Sequence, residues 1–183
     1  MCNWIAGVVV LGSLLGSHTL AQAGNKHNVI IEGGIVHLKG ALTAATCVVA
    51  NESRNLTVDM GQIRSNQFNG TGSYAPAVPF YIHLTECNTT ANRQVGMTFW
   101  GATDNRDPQI IKVTDSVNAA QGVGVAIFDN SGNALVPNTE TARWIPIFDG
   151  DNRLQFLARY RATQPEVTGG QADVTAWFTL TYP

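Results

Sequence analysis

From position 172 to the last residue, apolar and polar positions alternate. Ala172, Val174, Ala176, Phe178, Leu180 and Tyr182 fall on one parity, and Asp173, Thr175, Thr179 and Thr181 on the other, with Trp177 the exception. Successive side chains of a strand point to opposite faces, so the stretch predicts a strand with one face on a core and one toward solvent. The alternation runs to the end of the sequence, which raises the question of what pairs with the strand's second edge. The same period recurs at the other end, where Val36, Leu38, Gly40 and Leu42 alternate with His37, Lys39 and Ala41. Gly40 stands where an apolar side chain is expected, and a glycine inside a strand marks the close approach of another backbone or a bulky neighbour.

Between these ends the pattern predicts strands over 41–50, 56–60, 80–84 continuing to Cys87, 95–100, 110–113, 122–128 and 154–162, with a short one at Leu135 and Val136. Polar turns are expected at 51–55 and 88–93. A hairpin-type turn is expected at Asp129-Asn130-Ser131-Gly132-Asn133, and loops at 64–78, 101–108, 137–146 and 163–170. Many short strands separated by turn signals indicate one all-β domain, a sandwich.

Composition changes this picture in three places. Within residues 1–23, Trp4 to Leu15 is apolar and rich in small residues and Ala21-Gln22-Ala23 offers a cleavage site, which predicts a secretory signal peptide, with a retained anchor as the rival, although no Lys or Arg precedes the apolar run. The mature chain would then begin at Gly24. Cys2 would leave with the signal, and Cys47 and Cys87 remain as an even pair in an exported chain, for which a disulfide is the default. A metal site would need more ligands than two cysteines, and no clustered histidines accompany them. Finally, charged residues make up only 13% of the chain and the net charge is −2, which gives no electrostatic case for nucleic acid or an anionic membrane surface.

The search for chemistry returns no constellation. His27 lies in the polar arm, His37 on the polar side of the arm strand, and His83 opposite Ile82 and Leu84. Each reads as an ordinary strand or surface histidine. No nucleophile elbow, zinc-protease, phosphate-loop or dinucleotide motif is present. Asp149-Gly150-Asp151 lacks the further ligands of a calcium loop and reads as a turn. Trp100, Trp144 and Trp177 could form a sugar platform, but tryptophans are also common on sandwich strands. No catalytic residue, metal, cofactor or small-molecule substrate is expected.

The landmarks together carry a resemblance. An alternating arm (Gly33-Gly34-Ile35-Val36-His37-Leu38-Lys39-Gly40) precedes Ala44-Ala45-Thr46-Cys47. Then follow Leu56-Thr57-Val58-Asp59-Met60-Gly61-Gln62-Ile63, the stretch from Pro79-Phe80 to Glu86-Cys87, Val123-Gly124-Val125-Ala126-Ile127-Phe128-Asp129 and Ala158-Arg159-Tyr160-Arg161-Ala162-Thr163. The chain closes with Gly170, fourteenth from the end, and the penultimate Tyr182. Over its whole mature length the chain resembles the type 1 pilins of the chaperone–usher pathway. Gly24-Asn25-Lys26, Ala158-Arg159-Tyr160-Arg161-Ala162-Thr163 and Ala176-Trp177-Phe178 resemble a fimbrin-like minor subunit more than a major rod pilin.

The resemblance implies an incomplete immunoglobulin-like sandwich that lacks its seventh strand. It divides the chain into a signal (1–23), a donor-strand extension (24–42) and a pilin domain (43–183). It implies a donor strand presenting Val36, Leu38, Gly40 and Leu42. It also implies a groove and chaperone-recognition strand made by Gly170, Val174, Ala176, Phe178, Leu180 and Tyr182. The implied partners are a periplasmic pilus chaperone, an outer-membrane usher and neighbouring fimbrial subunits, and the implied route runs through the periplasm to a fimbria on the cell surface. The rival expectations are a low-copy adaptor or terminator and, with less support, a carbohydrate-binding adhesin.

Overall fold

A computed structural model of the chain describes residues 35–40, 46–141 and 143–183. The chain divides into two units, Met1–Ala41 and Leu42–Pro183. In the first, residues 35–40 carry no regular secondary structure and are exposed throughout. The expected signal segment and Leu42 lie outside the described residues.

The second unit is built almost wholly from strands. Its elements are β1 (Val48–Val49), α1 (Asn51–Arg54), a 3-10 turn (Ser65–Gln67), β2 (Val78–Cys87), β3 (Gln94–Gly101), β4 (Ile111–Lys112), β5 (Val123–Asp129), β6 (Ala134–Leu135), β7 (Trp144–Pro146), β8 (Gly150–Ala162) and β9 (Ala176–Thr181). They form two sheets. One runs β1-β2-β8-β5-β4 with β6 beside β5, and the other runs β7-β3-β9.

Strand β8 is the spine of the larger sheet. It pairs antiparallel with β2, Phe80 opposite Phe156, and with β5, Ile127 opposite Ala158. Its alternation sends Leu154, Phe156, Ala158, Tyr160 and Ala162 inward, and all five are buried. Inward residues of β3 (Val95, Met97, Phe99) meet them from the other sheet, with the Phe99 and Phe156 rings edge to face at 5.3 Å. Fully burying each such side chain contributes about 1.5–3 kcal/mol. Cys47 and Cys87 form a disulfide that ties the segment before β1 to the end of β2. Closing a loop of that length contributes about 4 kcal/mol through the unfolded chain.

The turn between β5 and β6 is organised by one carboxylate. Asp129 Oδ1 accepts the backbone N–H groups of Ser131 (2.9 Å) and Asn133 (2.8 Å), and Oδ2 accepts Asn133 Nδ2 at 2.8 Å. Burial alone would raise its pKa. The hydrogen bonds from Asn133 and Ser131 and the positive charge of Arg143 outweigh it and hold the carboxyl below its ordinary value.

Several boundaries differ from the sequence pattern. Of the strand expected over 41–50, Val48 and Val49 alone are paired among the described residues, opposite Thr85 and Leu84. The turn expected at 51–55 contains one helical turn, α1. Its buried Ser53 accepts the His83 N–H at 2.9 Å and so ties the turn to β2. The strand expected over 56–60 has no ladder partner among the described residues and forms no strand. Alternation fixes which way side chains point, and pairing needs a neighbour at ladder distance as well. Conversely, part of the loop expected at 137–146 is β7, which pairs with β3, Gly96 opposite Trp144. Three residues ending in a proline carry too little pattern to announce themselves.

Candidate functional site: the edge of the last strand

Strand β9 pairs along one side only. Its register with β3 runs from Gly96 opposite Thr181 to Gly101 opposite Ala176. It is the outer strand of the smaller sheet, so its second edge faces no strand among the described residues. Its inward residues are accordingly half-buried. Phe178 and Leu180, and Tyr182 just past the strand's end, pack against the main core cluster without being enclosed by it. The Phe178 ring lies 6.4 Å from Phe99. On the outer face Trp177 is 61% exposed, and Trp100 Nε1 donates to Thr179 Oγ1 at 2.9 Å.

A second wall is made by the segment that follows α1. Val58, Met60 and Ile63 are half-buried, and Gly61 breaks the run with φ +66°, its N–H donated to Asp59 Oδ1 at 2.9 Å. Met60, Ile63 and Phe68 pack on a second cluster that also receives Ala172 and Val174 from the approach to β9. Phe80 belongs to the surroundings of both clusters and stacks on Phe156 at 5.6 Å. Beside this wall a cleft of about 330 Å³ separates Leu56, Thr57, Val58 and Asp59 from β2 and Arg153. The site is therefore an apolar floor between two stretches of backbone: among the described residues, β9 has a ladder partner on one side only and the 56–63 stretch has none.

Tyr160 of β8 joins the walls. Its hydroxyl donates to Ala172 C=O at 3.1 Å. Burial raises its pKa, and the carboxylates of Asp173 and Asp59, one from each wall, raise it further. Burial also pushes the Tyr182 hydroxyl up. The Cys47 backbone beside it eases that shift, at a geometry short of a hydrogen bond, so Tyr182 Oη is buried without a partner among the described residues.

Of the residues singled out in the sequence, Val174, Phe178, Leu180 and Tyr182 face this floor. Ala176 shares their parity but is exposed at the start of β9. Gly170 lies outside β9. A Cβ there would stand 2.5 Å from Asn118 O and 2.6 Å from Ala120 N, so only glycine lets the two backbones approach. Gln171 and Ala120 complete that docking, the Ala120 N–H donating to Gln171 C=O at 2.7 Å. In the arm, Val36 and Leu38 are 79% and 93% exposed and Gly40 is exposed too. The residues missed were Met60, Ile63, Phe68 and Phe80. The spacing of Val58 and Met60 was the available signal for the second wall. Among the described residues no group of His, Cys, Asp or Glu is arranged to hold a metal, and no helix is long and apolar enough to cross a membrane.

Residues 36–183 match a family described as Fimbrial protein. The chain is 39% identical over 178 residues to a protein of Salmonella typhi named putative fimbrin-like protein FimI, covering 97% of this chain and 98% of that one. It is 34% identical over 175 residues to a fimbrial subunit type 1 of Salmonella typhimurium, covering 94% and 95%. Among solved structures, an antigen and type I fimbria protein of Burkholderia pseudomallei shares 32% identity at a TM-score of 0.59, over 76% of this chain and 91% of that one. A subunit from the structure of a chaperone–usher pilus shares the fold, with a TM-score of 0.64 and 23% identity over 85% and 99%.

Proposed function

The chain belongs to the fimbrial protein family, has the immunoglobulin-like fold of pilins and is a subunit of a type 1-like fimbria, and from this premise we propose that it assembles by strand exchange at the open edge of β9. The observation that carries the reading is that edge, with half-buried Phe178, Leu180 and Tyr182 along it and half-buried Met60 and Ile63 on the wall across the floor. Strand addition is the established mode of pilin–chaperone complexes, in which main-chain hydrogen bonds give affinity and alternate side chains fill pockets. A periplasmic chaperone supplies the first strand. At the outer-membrane usher the arm of a neighbouring subunit then replaces it, presenting Val36, Leu38, Gly40 and Leu42.

The magnitudes support the exchange. Burying three aliphatic side chains and forming a new ladder would contribute on the order of 5–10 kcal/mol. Gly40 would leave room for a bulky side chain of the floor. Each subunit would receive one arm and give another, a head-to-tail contact that does not close on itself and so builds a filament. The subunit's role is mechanical, as the family is structural, and strand exchange requires no reaction.

The test uses the mature chain, expressed in the periplasm with and without the cognate chaperone, and a synthetic peptide of residues 34–45. The chain should need the chaperone to accumulate. The peptide should then displace the chaperone and raise the melting temperature, and the same peptide carrying Gly40→Trp should do neither. A monomer that accumulates alone and ignores the peptide would sink the proposal. Equal action of both peptides would remove Gly40 from the donor face.

A further inference from the structure

Asn69-Gly70 is the one Asn-Gly pair in the sequence. It sits on the loop between the 3-10 turn and β2, with Asn69 exposed and Gly70 at φ +86°. No atom lies within 4 Å of where a Gly70 Cβ would be. The Gly70 carbonyl is fixed, accepting Ser73 N–H at 3.2 Å and Ser73 Oγ–H at 2.6 Å. Its N–H, by contrast, has no partner among the described residues.

We propose that Asn69 is a site of spontaneous deamidation and isoaspartate formation in the folded subunit. The Gly70 amide nitrogen gives its proton to a solvent base and attacks Asn69 Cγ. The new C–N bond closes a five-membered succinimide, and the side-chain nitrogen takes a proton and leaves as ammonia. Water then adds to either ring carbonyl and opens it to aspartate or isoaspartate. Water enters and ammonia leaves, with no oxidant, reductant or cofactor. Glycine favours the attack because no side chain shields its nitrogen and its backbone is free to rotate.

Three other asparagines have their side-chain amides committed elsewhere. Asn133 Nδ2 donates to Asp129, Asn138 Nδ2 to Gly101 C=O at 2.9 Å, and Asn152 Nδ2 to Phe148 C=O at 2.7 Å. The corresponding Asp-Gly pair is Asp149-Gly150. There Thr89 donates both its Oγ–H and its N–H to Asp149 Oδ1, each at 2.7 Å, and Gly150 is locked in β8 opposite Cys87. The reaction at Asn69 would add a negative charge and, in the isoaspartate form, one extra backbone atom. That change falls next to Phe68, which packs on the cluster shared with Met60, Ile63 and Val174. A subunit outside the cell would accumulate this mark with age.

The test is ageing of purified fimbriae that contain the chain, at neutral and at mildly alkaline pH, with peptide mapping that separates aspartate from isoaspartate. Asn69 should convert at a rate within a few-fold of that in a free peptide of residues 66–73. It should exceed every other asparagine by an order of magnitude and accelerate with pH, with isoaspartate among the products. Asn69→Gln should remove the signal from that loop. Conversion an order of magnitude slower than in the free peptide, or a second asparagine reacting equally fast, would overturn the assignment.

Discussion

Strands β8 and β9 carry the same alternation and end in different environments. On β8 the inward residues are enclosed, and Phe156 is 0% exposed, because β2 and β5 flank the strand on both sides and β3 covers its face. On β9 the inward Phe178 and Leu180, with Tyr182 just beyond its end, touch the same core but stay half-buried, because β3 is the strand's one partner among the described residues. Period therefore records the direction of side chains and says nothing about the number of neighbouring strands. A strand with one partner is stable enough to form and still has a ladder to offer.

The comparison can be broken most forcefully at its aromatic pair. Phe156→Ala should cost about 3–5 kcal/mol, whether or not a donor strand is bound, because its surroundings are complete in the chain itself. Phe178→Ala should cost about 1–2 kcal/mol in the isolated chain and about 3 kcal/mol once a donor strand covers it. Chemical denaturation of both variants, with and without the peptide of residues 34–45, reads the two numbers. Equal costs for Phe178→Ala in both conditions would mean that β9 is not the edge being covered.

The sequence made some of this contrast legible. The inward faces of β8 and β9 follow from alternation, the enclosure of β5 from its unbroken apolar run, and the disulfide from two cysteines in an exported chain. The second wall was hidden because 56–60 alternates like a paired strand. Its lack of a partner is a property of what lies beside it. Strand β7 was hidden for the opposite reason, since a three-residue edge is decided by its neighbour β3. Gly170 was singled out through family resemblance, and the structure supplies a local reason in the contact with residues 118–120.

Acid probes the β5–β6 hairpin of the larger sheet. Asp129 has a folded pKa below its unfolded value, so the stabilisation it provides is complete above the unfolded value and is lost as pH falls through the folded one. Asp129→Asn should therefore destabilise the domain by about 1.5 kcal/mol at neutral pH, with the penalty shrinking as the wild type is acidified below the usual carboxylate range. Urea midpoints across that range check the sign. A penalty independent of pH would assign the loss to packing of the hairpin and remove the charge from the account. Peptide uptake at β9 should be unchanged, since Asp129 lies on the hairpin of the other sheet.

The smallest effect is the most local test of how the open edge is held. Tyr160 sits on the closed strand β8 and donates to Ala172, at the approach to β9, so one hydrogen bond links the two regions being compared. Tyr160→Phe keeps the buried ring and removes that bond, which should cost about 1 kcal/mol. Its raised pKa gives a second signature. The wild-type contribution is complete below the unfolded tyrosine value and is lost as pH rises through the folded one, whereas the Phe variant has no such alkaline limb. If the bond positions the wall, hydrogen exchange in residues 171–175 should quicken in the variant while that of β8 stays as slow as before. Equal acceleration in both would place the role of Tyr160 in the core and leave the approach to β9 held by Thr114 and Ala120, whose N–H groups donate to Asp173 and Gln171.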